Sequence, residues 1–336
     1  MTKKIPIANI QAPSYIQDGY KVAITSNGIE AVPSTSPIVY DWTPVYFFQG
    51  SNSGYHSGGL SPTIPGVSST IQKFPFASDT SATNIANLVL ARSTQSGQSS
   101  RTHGYNSTGQ TPLGLNGLID KFSFTSDADA TSVGSVFQNR AYSGGQSSDT
   151  HGYASGGSTV STIDKFPFSS DTDATDVGEL TVSRYGSATQ SSDSYGYTSG
   201  GNPPPNPISS VIDKFPFASD TSATSVGNLT VARYLNAGQS STTHGFTSGG
   251  FSTSATTLVD RFPFATDNNA TSVGNLTVAR FTTSSQTSTT SGYTSGGRTP
   301  TYLDTIDKFP FSSTSFTATD VGELSAVFGY GAGQQV

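Results

Sequence analysis

Short segments with alternating apolar and polar positions recur along the chain from about residue 46 onwards. The segment "STIDKFPF" begins at Ser161, and in it the apolar Ile and Phe alternate with the polar Asp or Lys. The segment "GNLTVAR" begins at Gly227, and in it Leu and Val alternate with Asn, Thr and Ala. A period of two predicts half-buried β-strands. Between such segments stand stretches like "SDTSAT", whose Ser, Asp and Thr side chains favour turns. The local pattern is therefore β throughout.

These segments belong to one unit that occurs six times. A Gly-aromatic pair followed by a Gly-Gly-like turn begins at Gly54, Gly104, Gly152, Gly196, Gly245 and Gly292, at intervals of 44 to 50 residues. Each unit predicts four strands: a, around a glutamine; b, from the Gly-aromatic pair to the turn; c, "IDKFPF"; and d, "LTVAR". The proline of strand c must lie at a bulge or where an N–H would point away from a neighbouring strand. Four strands in about 48 residues are typical of a propeller blade, so the sequence predicts an all-β, six-bladed β-propeller.

Nearly every distance within the unit is fixed. The last aromatic of "DKFPF" precedes an arginine by 16 residues in five units, the sixth having Phe328 after 17, and a glutamine follows six residues later in every unit. We interpret both columns as structural: Arg92, Arg140, Arg184, Arg233 and Arg280, then Gln98, Gln146, Gln190, Gln239 and Gln286, with Gln334 in the sixth unit. The length varies only between the Gly-Gly turn and strand c, where the insert is 5 to 11 residues long.

Two other architectures fit less well. A β-solenoid needs shorter coils with tighter spacing, and separate domains are disfavoured because one unit cannot bury its own faces. A propeller must also close, since an open ring would expose two sheet edges. Either the C-terminal "YGAGQQV" or the "VYFFQGSN" beginning at Val45 can stand beside strand b of the first blade. We expect closure at this seam, where the two terminal segments meet in one blade.

Residues 1–45 lie outside the repeat. Asn27-Gly28 separates two alternating apolar runs, which predicts a β-hairpin. The remainder, with five prolines, predicts extended chain. This arm is either a strap packed on the propeller or an anchor that docks another protein.

Composition removes several classes of function. The net charge is −6, only 11% of the residues are charged, and Lys and Arg are scattered, which argues against nucleic acid as a partner. The chain has no cysteine, so disulfides and thiolate metal sites are excluded. No run of about 18 apolar residues predicts a membrane span. Nor does any nucleophile elbow or phosphate loop occur, so we expect no cofactor and no enzymatic activity.

The remaining titratable residues repeat with the blades. Three of the four histidines, His103, His151 and His244, precede the same Gly-aromatic pair, and with His56 they are interpreted as structural residues, not metal ligands. The turn aspartates favour caps over a calcium site; they are Asp79, Asp127, Asp171, Asp220 and Asp267. The strand c aspartates are expected to pair with the arginine of their own unit, except Asp307, whose unit has Phe328; the others are Asp120, Asp164, Asp213 and Asp260.

The variable inserts are the best candidates for recognition. Connections b–c and d–a of a blade emerge on one face, so residues 60–70, 110–118, 158–162, 202–211, 251–258 and 298–305 should ring that face. Loops on a rigid scaffold commonly carry binding residues. The predicted contacts are rigid, aromatic or charged: Pro203, Pro204, Pro205, Phe251, Arg298 and Tyr302. The alternative is that these surface loops vary in length without a function.

The order of Gly-Gly, aromatic strand, fixed spacer and arginine resembles the kelch motif of a family of β-propellers, over roughly residues 46–336. The second unit departs from it with Thr108-Gly109, and no unit has the kelch tryptophan. Segments such as "HGFTSGG", "IDKFPFASD" and "LTVAR" also resemble those of repeat proteins of tailed-phage virions. This second resemblance implies a non-enzymatic virion structural or adhesive protein. Its residues 1–45 would bind other virion proteins, and its loop face would bind a host-surface glycan or protein. The alternative is a bacterial lectin-like propeller outside the cell, which needs aromatic and polar groups that converge on the loop face.

Overall fold

In the computed structural model of this chain, residues 48–63 and 66–336 are described in full, and residues 20–25 and 28–33 by their backbone. The chain divides into two compact units, Met1–Val45 and Tyr46–Val336. In the first, strands Tyr20–Thr25 and Gly28–Pro33 form an antiparallel hairpin that pairs Thr25 with Gly28. The hairpin is confirmed, but Gly28 belongs to the second strand and not to the turn. The rest of the predicted arm lies outside the described residues.

The second unit is a six-bladed β-propeller, which confirms the predicted fold. Each blade is an antiparallel sheet in the order a, b, c, d. The prediction of strand d was wrong in position: the strand is the segment just before "LTVAR", for example Thr224–Asn228, and "LTVAR" itself follows it. The blades are, in that order, Ala332–Gln335, Ser53–Ser57, Thr70–Pro75 and Thr83–Asn87; Ser96–Ser99, His103–Ser107, Leu118–Ser123 and Thr131–Ser135; Gly144–Ser147, His151–Ser155, Thr162–Pro167 and Thr175–Glu179; Ala188–Ser191, Tyr195–Ser199, Val211–Pro216 and Thr224–Asn228; Ala237–Ser240, His244–Ser248, Leu258–Pro263 and Thr271–Asn275; and Ser284–Thr287, Ser291–Ser295, Thr305–Pro310 and Thr319–Glu323.

Three further elements are short. Pairs of two-residue strands form hairpins in two b–c loops, Gln110–Thr111 with Gly114–Leu115 and Arg298–Thr299 with Thr301–Tyr302. Strand Phe316–Thr317 pairs in parallel with the outer strand of blade 5. This strand lies in the c–d connection of blade 6, where the spacing in the sequence is one residue longer than in the other units.

Strand c is more buried than simple alternation predicts. In blade 3, Ile163 and Asp164 are adjacent and both fully buried. A bulge between them in the pairing with strand d rotates the chain, so that neighbouring residues do not face opposite ways. Pro167 is the last residue of the strand, opposite His151 of strand b and beyond the last pair with strand d. The proline therefore interrupts no c–d hydrogen bond. Of the two predicted placements, it does not lie at the bulge but where an N–H would point away from strand d.

The a strands surround the central axis and contact one another closely. A Cβ added to Gly97 would lie 2.2 Å from the carbonyl oxygen of Gly333, and one on Gly145 would lie 2.2 Å from that of Gly97. Side chains at these positions would collide with the backbone of the preceding blade. The small residues of strand a therefore allow six blades to meet.

The C-terminal segment closes the ring. Ala332–Gln335 pairs with Ser53–Ser57, so the innermost strand of blade 1 comes from the end of the chain. Backbone bonds extend this pairing, with Asn52 and Ser53 N–H donating to the Val336 carbonyl at 2.6 and 2.9 Å. Of the two segments considered in the sequence, "YGAGQQV" supplies the strand.

Adjacent blades pack through a repeated aromatic contact. The final aromatic of each "DKFPF"-like segment packs on the strand b aromatic of the preceding blade. Five of these pairs are stacked, such as Phe217 on Tyr153 at 4.9 Å and Phe168 on Tyr105 at 4.7 Å between ring centroids, and Phe124 is tilted against Tyr55. Five of the six hydrophobic clusters combine residues of two successive blades, and the sixth combines blades 6 and 1. Burial between blades explains why the c–d segment keeps a fixed length.

The glutamine column joins each blade to the next. Each Nε2 donates to the backbone carbonyl of the strand b aromatic in the following blade, at 2.8 to 3.1 Å. The donors are Gln98, Gln146, Gln190, Gln239, Gln286 and Gln334. Because the sixth glutamine bonds to blade 2 from the C-terminal strand, this set of bonds is complete around the ring.

The arginine column forms buried ion pairs, but with a different partner from the expected one. Arg92 pairs with Asp120 at 2.9 Å and Arg280 with Asp307 at 2.5 Å, so each arginine reaches the aspartate of the next unit and not of its own. The other pairs are Arg140 with Asp164, Arg184 with Asp213, and Arg233 with Asp260. The arginine side chain follows strand d and extends into the next blade. The predicted pairing of each aspartate with the arginine of its own unit was therefore wrong by one unit.

The seam between blades 6 and 1 lacks this ion pair. Phe328 occupies the arginine position and Gln72 the aspartate position, and both are buried. His56 stands in strand b where other blades have Asn, Ala or Thr, with its ring 5.4 Å from that of Phe328. Both members of the charged pair are thus replaced together, so no single charge is buried alone.

The turn aspartates do not cap their turns as predicted. Asp171 accepts from Lys121 Nζ at 2.6 Å and Asp220 from Lys165 Nζ at 2.8 Å, each lysine belonging to the preceding blade. The same pairing joins Lys214 to Asp267 and Lys308 to Asp79. These carboxylates are more than half exposed, so each ion pair contributes little to stability.

Candidate functional site

The variable b–c loops meet the d–a connections on one face of the propeller. The first residue of each insert lies beside a residue that follows the arginine column: Gln110 pairs with Ser93, Asn202 with Tyr185, Phe251 with Tyr234, Arg298 with Phe281 and Leu60 with Gly329. In blade 3 the Ser158 N–H donates to the Ala141 carbonyl at 2.8 Å. We call this surface the loop face; it combines both kinds of connection, as expected.

A closed ring of backbone hydrogen bonds surrounds the axis at this face. It consists of the second residue after each arginine position, namely Thr94, Tyr142, Gly186, Leu235, Thr282 and Tyr330. Each N–H donates to the carbonyl of its counterpart in the preceding blade, at 2.6 to 3.0 Å. Six equivalent bonds therefore fix the d–a connections around the mouth of the axis.

All six residues of this ring have positive φ, between 56° and 66°. Only Gly186 adopts this conformation without a steric cost. The other five, including the β-branched Thr94 and Thr282, are strained by about 1–3 kcal/mol each. The surrounding hydrogen bonds hold them there. Strain of this kind is typical of sites that have a function.

Aromatic side chains form a continuous band around the mouth. Tyr142 contacts Tyr330 at 5.9 Å and Tyr185 at 5.6 Å, and Tyr185 contacts Tyr234 at 6.1 Å between ring centroids. The band continues from Tyr234 to Phe251 at 6.0 Å and from Phe251 to Phe281 at 5.1 Å. Most of these contacts are edge-to-face, and all of the rings are half-buried, so aromatic surface remains exposed.

Arg298 completes the band. Its guanidinium lies 5.5 Å from the Phe281 ring and 5.4 Å from the Tyr302 ring, within cation–π distance of both. Its charge also lowers the pKa of the nearby Tyr330 hydroxyl, against the larger effect of burial. We call the whole set the aromatic collar: Tyr142, Tyr185, Tyr234, Phe251, Phe281, Arg298, Tyr302 and Tyr330.

The collar tyrosines lie near one another, and the pKa is raised for Tyr142, Tyr234 and Tyr330. Burial raises the pKa of Tyr142, and the neighbouring hydroxyls of Tyr330, Tyr185, Tyr302 and Tyr234 raise it further. Burial also raises the pKa of Tyr330, while the charge of Arg298 lowers it. At neutral pH these hydroxyls can therefore donate and accept hydrogen bonds.

A cavity of about 80 Å³ lies inside the collar, lined in part by Tyr142, Tyr330, Leu235 and Thr282. The Thr282 hydroxyl is buried and has no hydrogen-bond partner. A deeper axial cavity of about 150 Å³ is lined mainly by strand a. Both are small compared with the 300 Å³ or more of a typical small-molecule site. The collar can thus admit a substituent of a ligand, with the rest of the ligand lying on the rim.

Three of the residues predicted for binding belong to this collar: Phe251, Arg298 and Tyr302. The other three do not: Pro203 is buried, and Pro204 and Pro205 are exposed in a turn after Asn202. Asn202 itself donates to the Tyr185 hydroxyl at 3.0 Å, which links this loop to the collar. The structure therefore brings together the aromatic and charged loop residues and leaves the prolines outside.

Sequence reasoning missed the collar residues of the d–a connections: Tyr142, Tyr185, Tyr234, Phe281 and Tyr330. A signal was present, because an aromatic residue follows the arginine position within two residues in five of the six units. The aromatic is the first residue after that position in three units and the second in two. It therefore forms no single column in the repeat.

The histidines do not form a metal site. His103, His151 and His244 each lie 2.8 Å from the hydroxyl of the preceding threonine through Nδ1. Within the described ranges, no group of three or more His, Cys, Asp or Glu side chains is arranged to hold a metal ion. In the same part of the chain, no helix has the length and apolar character needed to cross a membrane.

No protein-family model matches the chain, and no curated protein matches it significantly.

Proposed function

We propose that this protein is a non-enzymatic adhesive propeller that binds a surface glycan through the aromatic collar. The observation that supports this is the convergence of seven aromatic side chains, five of them tyrosines, around one mouth. Exposed ring surface suits the apolar faces of sugar rings, and tyrosine hydroxyls suit their polar edges. The lectin-like alternative required this convergence of aromatic and polar groups on the loop face.

The proposal includes no catalysis. The buried charged groups of the described propeller are largely occupied, because five arginines and five aspartates bind each other between blades. The near-equivalence of the repeats in sequence also argues against an asymmetric charged cluster in one or two blades. These features support a binding role and not an acid–base one.

We further propose that the protein acts as part of a phage virion, in a tail, a fibre or a capsid decoration. The resemblance of its repeats to those of tailed-phage proteins supports this setting, and residues 1–45, a separate unit, provide a candidate anchor to other virion proteins. Outside a virion, the same collar would serve a protein at a bacterial cell surface.

Glycan binding by collar variants tests the proposal. We expect the full-length protein to bind a subset of immobilised glycans, and Tyr234→Ala to weaken that binding at least tenfold because it removes an aromatic surface from the middle of the band. Tyr195→Ala is the matched control, since Tyr195 is an exposed tyrosine outside the collar. If no glycan binds the folded protein, or if both variants weaken binding equally, the proposal is wrong.

A further inference from the structure

Arg298 differs from the arginines of the repeat in having no carboxylate partner. Arg92, Arg140, Arg184, Arg233 and Arg280 each pair with a buried aspartate. Among the described residues, no carboxylate oxygen forms an ion pair with Arg298, and its Nε is buried without a hydrogen-bond partner. A guanidinium that no carboxylate of the described residues neutralises is free to accept one from a ligand.

The guanidinium of Arg298 is held in place by its neighbours. It lies within cation–π distance of the rings of Phe281 and Tyr302, and its charge acts on the nearby Tyr330 hydroxyl. Its own backbone N–H donates to the Phe281 carbonyl at 2.9 Å, which fixes the start of the loop. An arginine held in this way is prepared to bind a carboxylate through two parallel hydrogen bonds.

The neighbouring groups define the rest of the ligand. The collar offers aromatic faces beside the guanidinium, tyrosine hydroxyls, and a cavity of about 80 Å³ with the unpartnered Thr282 hydroxyl at its wall. A quaternary ammonium also binds in aromatic cages, but Arg298 would repel it. A sugar ring that carries a carboxylate satisfies all of these groups.

We propose that the collar is selective for glycans with a carboxylated sugar, such as a uronic acid, and that Arg298 binds the carboxylate. The inference rests on the proposed glycan-binding function and names the class of its ligand. The sugar ring lies on the aromatic faces, its hydroxyls meet the tyrosine hydroxyls, and the carboxylate lies against the guanidinium.

The test compares matched sugars on the full-length protein. Binding of oligosaccharides that end in glucuronate or galacturonate is measured by calorimetry beside those that end in glucose or galactose. We expect the acidic member of a pair to bind about 10 to 100 times more tightly, the size of the effect of one charge-assisted hydrogen-bonding group. Arg298→Gln should reduce acidic binding to the neutral level and leave neutral binding nearly unchanged.

Arg101→Gln is the matched control, because it also removes one positive charge, from an exposed ion pair with Asp149 in an a–b turn. It should preserve the preference for acidic sugars. Equal binding of acidic and neutral sugars would overturn the selectivity and leave glycan binding intact. Equal loss of both in Arg298→Gln would make Arg298 a structural residue of the collar and would also overturn the inference. Absence of all sugar binding in the folded protein would overturn the proposed function itself.

Discussion

At the seam between blades 6 and 1, single residues differ from those at the same positions in the other blades. His56 is completely buried between blades 6 and 1, and neither ring nitrogen has a hydrogen-bond partner. Burial lowers its pKa to about 4, and the nearby backbone of Gly58 opposes that shift only partly. The imidazole is therefore neutral in the folded protein over the range in which a histidine of the unfolded chain becomes charged.

This difference predicts acid sensitivity. The folded pKa lies below the unfolded value of 6.5, so the unfolded state binds an extra proton as the pH falls from about 6.5 to 4. The contribution of His56 is complete above pH 6.5, and across this window the free energy of unfolding should fall by up to about 3 kcal/mol. His56→Thr, which copies the residue of blades 4 to 6, should reduce this slope when both proteins are unfolded with urea at several pH values. Identical slopes would contradict the prediction.

How far single residues could be predicted from the sequence depends on whether they form a column. Gln190 and Arg233 recur at fixed spacing, so their structural role could be recognised without coordinates. Tyr142 and Tyr185 contact each other in the collar, yet they occupy different positions after the arginine. Their proximity depends on how two d–a connections bend around the axis, which spacing along the chain does not reveal.

Strands are joined into blades, and blades to one another, by buried polar contacts as well as by apolar packing. Arg233 donates to Asp260 at 2.9 Å and to the Thr247 carbonyl at 2.9 Å, so it ties the end of one blade to strands b and c of the next. Asp260 in turn accepts from the Thr230 N–H of the preceding blade at 2.9 Å. The repeat in sequence and the blade in space are thus offset, because the contacts of a unit extend into its successor.

Replacing one or both partners should have very different effects. Asp260→Gln or Arg233→Phe alone leaves a buried charge without its partner, and we expect a loss of about 3–5 kcal/mol in the free energy of unfolding. The double variant copies the seam, where Phe328 and Gln72 occupy these positions, and should lose no more than the worse single variant. Urea unfolding of the four proteins measures this. A double-variant loss equal to the sum of the two single losses would contradict the prediction.

At the scale of the whole molecule, the ring depends on five residues at its end. Ala332–Gln335 supplies the inner strand of blade 1, and Gln334 there bonds to the Tyr105 carbonyl of blade 2 at 3.1 Å. The sequence predicted the seam and left two candidate segments open. Gln334 belongs to the glutamine column, which favoured the C-terminal segment, but spacing alone could not exclude a strand from the segment that begins at Val45.

Two deletions separate the parts of the chain. Removal of residues 332–336 exposes the edge of blade 1, and we expect loss of cooperative unfolding together with aggregation. Removal of residues 1–40 leaves every strand of the propeller, and we expect cooperative thermal unfolding to persist while incorporation into virions is lost. Calorimetry and analysis of particle composition measure these outcomes. Particles that still contain the shorter chain would exclude residues 1–40 as the anchor.

The collar has a consequence for valency. Although the scaffold repeats six times, the aromatic band is built once, around a single mouth, from residues that differ between blades. Each molecule would therefore present one binding site, with a stoichiometry of one ligand per chain. Strong attachment to a surface would then require many copies displayed together, because linked weak sites gain avidity that one site lacks.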